Sequence, residues 1–280
     1  MNWESDTTWI NQPKISVSMI TKDNPNFIFD ALRSIHDQNH KNIEILIVDD
    51  GSSKLNYDLL KDYAATHGNI KLHRNSRNLG IPASRNISLG MMSVESEFLC
   101  VLDADDIWLP NKLEKQLSVF KENPDLDILG TAIELIDKNS NPIGKRKYPV
   151  EHNQILNHLY LTSPLCHSSV VIRLRNLGTK VIYNEEYKSS QDLELWTRLA
   201  LEGYQFRNLP EVLVKYRVYE EQTTGLKTKR SLKFSLKARW KYILKKPYPL
   251  GFLLLFAQSL LYLLPSTWVI KIRDLFFHQK

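Results

Sequence analysis

Two acidic clusters in this sequence stand where chemistry is done. Asp49-Asp50 closes the apolar run Ile43-Glu44-Ile45-Leu46-Ile47-Val48, and Asp103, Asp105 and Asp106 close Phe98-Leu99-Cys100-Val101-Leu102. Carboxylates gathered at one crevice repel one another unless a cation joins them. A hard divalent ion takes oxygen ligands, one or two of them carboxylates and the rest water and substrate phosphate. Asp and Ser also punctuate ordinary turns. Two acidic clusters at the ends of two β-type runs weaken that plainer account.

The elements that must position these groups are legible as alternating periodicities. Ile15 to Ile20 is a short β-forming run, Phe27, Ile28, Ala31, Leu32 and Ile35 recur at helical spacing, and 43–48 is a second strand. Strand, helix, strand over so few residues is a βαβ unit, which requires parallel strands. The pattern continues through helix 55–66, strand 70–73, a loop at 75–82, helix 83–92, strand 98–102 and helix 111–122. Next come an apolar run at 126–136, a turn at 139–142 and helix 151–161. Strand 168–172, helix 193–202 and strand 212–216 complete the expected order. The economical architecture is an open α/β sheet with ligands outside the carboxyl ends of its strands, so both acidic clusters fall on the ligand-binding edge.

The ordered motifs resemble family 2 glycosyltransferases. Ser16-Val17-Ser18-Met19-Ile20-Thr21 followed by Ile47-Val48-Asp49-Asp50-Gly51-Ser52-Ser53 looks like the opening of that family. Asn75 to Gly80 with Ala83-Ser84-Arg85-Asn86 is similar to its donor-side loop. Leu102-Asp103-Ala104-Asp105-Asp106 with Ile107-Trp108-Leu109-Pro110 resembles its DXD segment, and Ser190-Gln191-Asp192-Leu193-Glu194 resembles its catalytic-base segment.

The resemblance implies a GT-A fold, Rossmann-like and mostly parallel, over residues 14–226. The donor half covers about 14–110 and the acceptor half about 111–226. It implies inverting transfer of a sugar from a nucleoside diphosphate, UDP for preference, to an acceptor hydroxyl, with Mn²⁺ or Mg²⁺. Asp50 falls where the family contacts the uracil or ribose end of the donor, with Asp49 supporting the turn. Thr21, Asn78, Gly80 and Arg85 fall in donor-lining segments, and Arg85 is equally placed for a structural salt bridge. Asp105 falls at the metal position with Asp103 as its partner, and Asp192 at the general base. The physical roles agree. A cation neutralises the departing diphosphate, and a carboxylate apart from the metal cluster deprotonates the attacking hydroxyl. Asp192 also stands where a residue would cap the following helix.

The chain departs from the family pattern in two places. Gln191 stands where a Glu is common, and Tyr216-Arg217-Val218-Tyr219 stands where Tyr-Arg-x-His is common. Arg217 therefore has two readings, a phosphate contact or a surface ion pair. His167, beside strand 168–172, reads as structural.

Composition separates body from tail. Up to Leu226 the chain has 25 Lys and Arg against 30 Asp and Glu; beyond it there are 12 against one. Such a basic tail on an acidic body points to an anionic surface. Leu232, Leu236, Trp240 and Leu244 fall four apart beside Lys233, Lys237, Lys241 and Lys245, the pattern of a basic amphipathic helix. The run 250–264, interrupted only by Gln258 and Ser259, would rise about 22 Å as a helix, short of the roughly 30 Å of a bilayer core. Reading on through Trp268 to Ile270 reaches further, past Pro265.

We expect residues 227–280 to anchor the protein, peripherally or re-entrantly, to an anionic leaflet at the cytoplasmic face. The competing expectation is a helical hairpin packed on the body or on a second subunit. No recognised nucleic-acid module accompanies the charge. Residues 1–13 form an extension lacking a basic n-region and an apolar run, so a cytosolic body is expected. Cys100 and Cys166 read as reduced and buried.

The acceptor that suits a membrane location is a lipid-linked saccharide of a surface polysaccharide such as O-antigen or capsule. A sugar-phosphate nucleotidyltransferase would require a glycine-rich basic loop where Thr21-Lys22-Asp23-Asn24-Pro25 stands. A non-catalytic membrane-bound sugar-nucleotide binder fits less well with Asp103, Asp105 and Asp192 all present. A processive synthase would require several spans.

Overall fold

The computed structural model describes residues 12–219 and 225–262, together with Leu264 and Trp268. The N-terminal extension as far as Asn11, and the reading of the apolar tail through Val269 and Ile270, lie outside the described residues. The chain opens with β1 (Ile15–Thr21), α1 (Ile28–His36), β2 (Ile43–Asp49), α2 (Lys54–Ala65), β3 (Ile70–Arg74), α3 (Ile81–Gly90) and β4 (Phe98–Val101). β1, β2 and β4 are buried along their lengths, as expected for strands covered by helices on both faces. Strand β1 pairs parallel with β2 and with β4, and β2 pairs parallel with β3. Thr21 stands opposite Asp49 at the shared carboxyl end.

The second half is less regular because short strands enter in both directions. It comprises β5 (Ile107–Trp108), α4 (Lys112–Glu122), β6 (Ile128–Ile136), β7 (Pro142–Arg146), α5 (His152–His158), β8 (Val171–Arg173), α6 (Leu174–Leu177), α7 (Gln191–Leu201) and β9 (Phe206–Arg217). One sheet results, ordered β3-β2-β1-β4-β8-β6-β9-β5, with β7 paired to β6. β8 joins antiparallel between β4 and β6, whereas β6 and β9 are parallel. The expected turn at 139–142 becomes the hairpin leading into β7. The expected strand 212–216 is the end of a longer β9, since Phe206 to Leu209 extends the pairing along β6. Both cysteines are buried thiols, and burial pushes the Cys100 thiol up to about 11.

The tail forms two helices, α8 (Gly225–Lys245) and α9 (Pro249–Leu261), and much of it belongs to the body. Leu236, Ala238, Tyr242 and Ile243 of α8, and Leu255 of α9, are buried in the same cluster as Tyr160, Trp196 and Leu199. The buried face of α8 is therefore centred on Leu236, Tyr242 and Ile243, while Leu244 of the expected stripe is exposed. α8 packs between α7 and α9. The two polar interruptions of the apolar run explain themselves here. Gln258 Oε1 accepts from Arg239 Nη1 at 2.8 Å, and Ser259 Oγ accepts from Trp240 Nε1 at 3.2 Å. Among the described residues no helix is long and apolar enough to cross a membrane.

Candidate active site

At the carboxyl ends of β1 and β2, Asp49 and Asp50 are both buried but turn to different tasks. Asp49 Oδ2 accepts from the Ser52 N–H at 3.3 Å and lies 3.5 Å from Arg74 Nε. Its Oδ1 is buried and, among the described residues, accepts no hydrogen bond. Beside it lies a shallow surface cleft lined by Thr21, Asn24, Pro25, Phe29, Ser52 and Asn56, together with Asp49 itself. A buried acceptor without a donor is costly, and an N–H of a ligand would satisfy it. The sides of the cleft are knitted together. The Ser53 N–H and Asn56 Nδ2 donate to Asp23 Oδ1, and the Asp23 N–H donates to Ser52 Oγ.

Asp50, the residue expected to meet the nucleoside, spends its carboxylate on the loop after β3. Oδ1 accepts from Asn75 Nδ2 and from the Leu79 N–H, at 2.9 and 2.8 Å, and Oδ2 accepts from the Gly80 N–H at 2.9 Å. Gly80, with φ +91°, opens α3, and Asn78 stands exposed on the loop rim. The loop lies so close to the β2 turn that a Cβ on Gly51 would sit 2.8 Å from the Arg77 carbonyl carbon and 2.9 Å from the Asn78 nitrogen. Gly51 also has φ +77°. Gly51→Ala is therefore expected to cost about 1–3 kcal/mol and to displace the 75–80 loop. Thermal denaturation and affinity for UDP should both register it.

The second cluster divides in the same way. Asp106 is buried and structural: Ser168 Oγ donates to its Oδ2, and the Arg217 N–H donates to its Oδ1 at 2.9 Å. Burial, and then the charges of Asp105 and Asp103, push its carboxyl well above the ordinary range. Asp103 and Asp105 are partly exposed on the same turn. Arg85, fully buried beneath them, donates from Nη2 to Asp103 Oδ1 at 2.5 Å and from Nη1 to the Ser18 carbonyl at 2.6 Å. Its salt bridge anchors Asp103 from below.

Tyr219 donates its hydroxyl to Asp105 Oδ2 at 2.7 Å. Burial raises the Asp105 carboxyl, and the charge of Asp103 raises it further. Among the described residues Arg217 forms no surface ion pair. It is buried, with Nε donating to the Asp105 carbonyl and Nη1 to the Asp137 and Lys138 carbonyls.

Asp192 lies in the first turn of α7, while the cap position is Ser190, which has φ +55°. The Ser190 hydroxyl pairs with that of Ser235 on α8 at 2.9 Å. His167 and Tyr183 are joined Nε2 to hydroxyl at 2.8 Å. The charges of Asp103 and Asp192 reach both rings. Burial, then Arg85, keeps the His167 imidazole below its ordinary value. His167 is buried and its Nε2 pairs with the Tyr183 hydroxyl, an arrangement that suits a structural histidine. Ser168, which also accepts the Asp103 N–H at 3.2 Å, went unnoticed in the sequence. Its only signal there was a polar pair at the mouth of a buried strand.

The family model for glycosyl transferase family 2 matches residues 16–177, a stretch that holds the cleft, the 75–80 loop and the Asp103–Asp106 turn. The chain belongs to glycosyl transferase family 2. A glycosyltransferase of Methanocaldococcus jannaschii is 30% identical over 83% of this chain and 81% of its own. The UDP-Gal:alpha-D-GlcNAc-diphosphoundecaprenol beta-1,3-galactosyltransferase of Escherichia coli is 29% identical over 75% and 76%.

Among solved structures, S. aureus TarS 1–349 in complex with UDP-GlcNAc superposes with a TM-score of 0.65 at 19% identity, covering 82% of this chain and 66% of that one. A mannosyltransferase from Pyrobaculum calidifontis in complex with GDP-Man and Mn²⁺ gives 0.66 at 16%, covering 92% and 72%. This family 2 glycosyltransferase thus has the α/β GT-A architecture, with its C-terminal helix α8 packed against α7.

Whether a cation fits this glycosyltransferase is a question for the donor set. Among the described residues no group of three or more His, Cys, Asp and Glu converges as a metal cage. Two partly exposed carboxylates on one turn remain, one salt-bridged from below and one raised by burial and by its neighbour's charge. That is the sparse oxygen set by which a divalent ion is held when substrate phosphate and water supply the other ligands. The residues fit such an ion.

Proposed function

We propose that this enzyme transfers a sugar from a UDP-sugar, with inversion, to a hydroxyl of a lipid-linked saccharide during assembly of a surface polysaccharide. The observation that supports this most directly is the succession along one sheet edge. It runs from the buried Asp49 oxygen beside the cleft, which meets no donor among the described residues, past the Asp50-held loop, to Asp103 and Asp105, and the charges of Asp103 and Asp192 both reach His167 and Tyr183. The cleft receives the nucleobase, whose ring N–H meets Asp49, while Thr21, Asn78 and Gly80 line the path of the ribose and diphosphate. Asp50 acts through the loop that it holds. Asp103 and Asp105 hold Mn²⁺ or Mg²⁺ against the diphosphate. When bound, the ion neutralises charge on the leaving group. Asp192 takes the proton of the acceptor hydroxyl from the opposite side. The donor and acceptor named for the E. coli relative support the same pairing of substrates.

The lipid-linked acceptor is met at a membrane surface. Leu250, Leu253, Phe256 and Leu260 of α9 are exposed, and so are Lys233, Lys237 and Lys241 of α8. Apolar and basic side chains together suit an anionic interface. Since the inner face of α8 belongs to the core, the hairpin would lie on the leaflet while holding α7, and hence Asp192, near the lipid.

The test is transfer from a panel of UDP-sugars to a polyprenyl-diphosphate saccharide in anionic vesicles. A labelled lipid product is expected with at least one donor, and none with any nucleotide sugar would reject the reading. Leu253→Lys with Phe256→Lys should abolish co-flotation with those vesicles while the protein stays folded; undiminished flotation would reject the membrane surface alone.

A further inference from the structure

We propose that Tyr219 is a positioning residue for the divalent cation, its phenol setting the rotation of the Asp105 carboxylate that meets the metal and the diphosphate. This rests on the cation assignment above. The Tyr219 hydroxyl donates to Asp105 Oδ2 at 2.7 Å. Two residues earlier, Arg217 Nε donates to the Asp105 carbonyl at 2.9 Å, and the Arg217 N–H donates to Asp106 Oδ1 at 2.9 Å. The end of β9 therefore grips the acidic turn by its main chain at Arg217 and by the Asp105 side chain at Tyr219.

The two grips are separable. Asp106, through Ser168 and Arg217, holds the turn whether or not the phenol is present. What the hydroxyl adds is the orientation of one carboxylate, and hydrogen bonds to ligating carboxylates are the contacts that tune metal affinity.

The same ring reaches the other end of the donor site. Tyr219 stacks on Phe27 with centroids 6.3 Å apart and planes at 30°, and the Arg217 guanidinium lies 4.2 Å from the centre of that Phe27 ring. Phe27 directly follows the segment holding Asn24 and Pro25, which line the nucleobase cleft. Phe27 thus stands between the cleft-lining segment and Tyr219.

Tyr219→Phe deletes the hydroxyl and keeps the ring. Mn²⁺ binding to the full-length protein in the presence of UDP, followed by electron paramagnetic resonance, should weaken by about ten- to a hundredfold. The melting temperature should stay close to that of the unaltered protein, and turnover should recover as Mn²⁺ is raised. An unchanged Mn²⁺ dissociation constant overturns the proposal while leaving the cation assignment in place. An unaltered protein that binds no Mn²⁺ with UDP removes both. Should Tyr219→Phe fail to fold, 3-fluorotyrosine at position 219 reports on the native arrangement. Its fluorine resonance should shift as Mg²⁺ is titrated with UDP, and a stationary resonance overturns the proposal.

Discussion

Asp192→Asn is expected to lower the rate of sugar transfer by about 10²–10⁴-fold while donor and Mn²⁺ binding stay at their unaltered levels. Asparagine keeps the size and polarity of the side chain but cannot accept a proton from the acceptor hydroxyl. The carboxylate is not the main tie of the local fold, although its charge favours the buried Arg239 guanidinium. The N-terminus of α7 is held instead by Ser190 against Ser235 and by the packing of Leu193, Leu195 and Trp196 in the core. A structural role would reveal itself as a lowered melting temperature, and a donor-binding role as a raised KM for the UDP-sugar. Single-turnover transfer at saturating donor isolates the chemical step. A rate within a few-fold of the unaltered enzyme would remove Asp192 from the chemistry.

Asp105→Asn should be nearly as damaging, with a loss of at least about 10³-fold in kcat. Stabilisation of a departing diphosphate by a cation is worth several kcal/mol, and each 1.36 kcal/mol is about tenfold in rate. The substitution is a cleaner probe than one at Asp103, whose removal would strand the buried Arg85 guanidinium without its carboxylate and cost stability as well. At position 105 an asparagine oxygen can still accept from Tyr219, so the turn should persist. The paired measurement is turnover of the unaltered enzyme in excess chelator, expected to be abolished and restored by added Mn²⁺ or Mg²⁺. Full turnover in chelator would discard the cation. The contrast between Asp103 and Asp105 would then have to be sought in the ribose contacts.

Much of this site could be read before any coordinates because strand ends are local features. An apolar run such as Phe98–Leu102 must be buried, and the polar residues that stop it must emerge at an edge. The βαβ alternation then places Thr21, Asp49 and Asp103 on one edge, whatever else the chain does. What could not be read is the direction in which each carboxylate turns. Asp49 and Asp50 are neighbours of one residue type. Only one of them meets the N–H groups of Leu79 and Gly80, and nothing within the motif says which. Asp106 likewise belongs to the same acidic run as Asp103 and Asp105. Ser168 and Arg217, far along the chain, make it an anchor instead.

The tail shows the same limit on a larger scale. Its basic charge and its helices were written in the spacing of Lys and Leu. Which face is buried followed from α7 and α9 closing around α8, so that Leu236, Tyr242 and Ile243 entered the core while Leu244 stayed outside.

By itself, then, the sequence determined the alternating α/β framework, the edge on which the acidic residues gather, and the contrast between an acidic body and a basic tail. Those depend on burial periodicity and composition, which act within a few residues. The tertiary structure alone decided that Asp49 keeps a buried oxygen with no donor among the described residues while Asp50 holds a loop. It alone decided that Arg85 and Arg217 are buried supports, that Tyr219 reaches Asp105, and that the tail helices complete the core. Each of these is a hydrogen bond or packing contact between segments distant in the chain. Buried polar groups must find partners wherever the fold brings them, and sequence proximity does not say where that is.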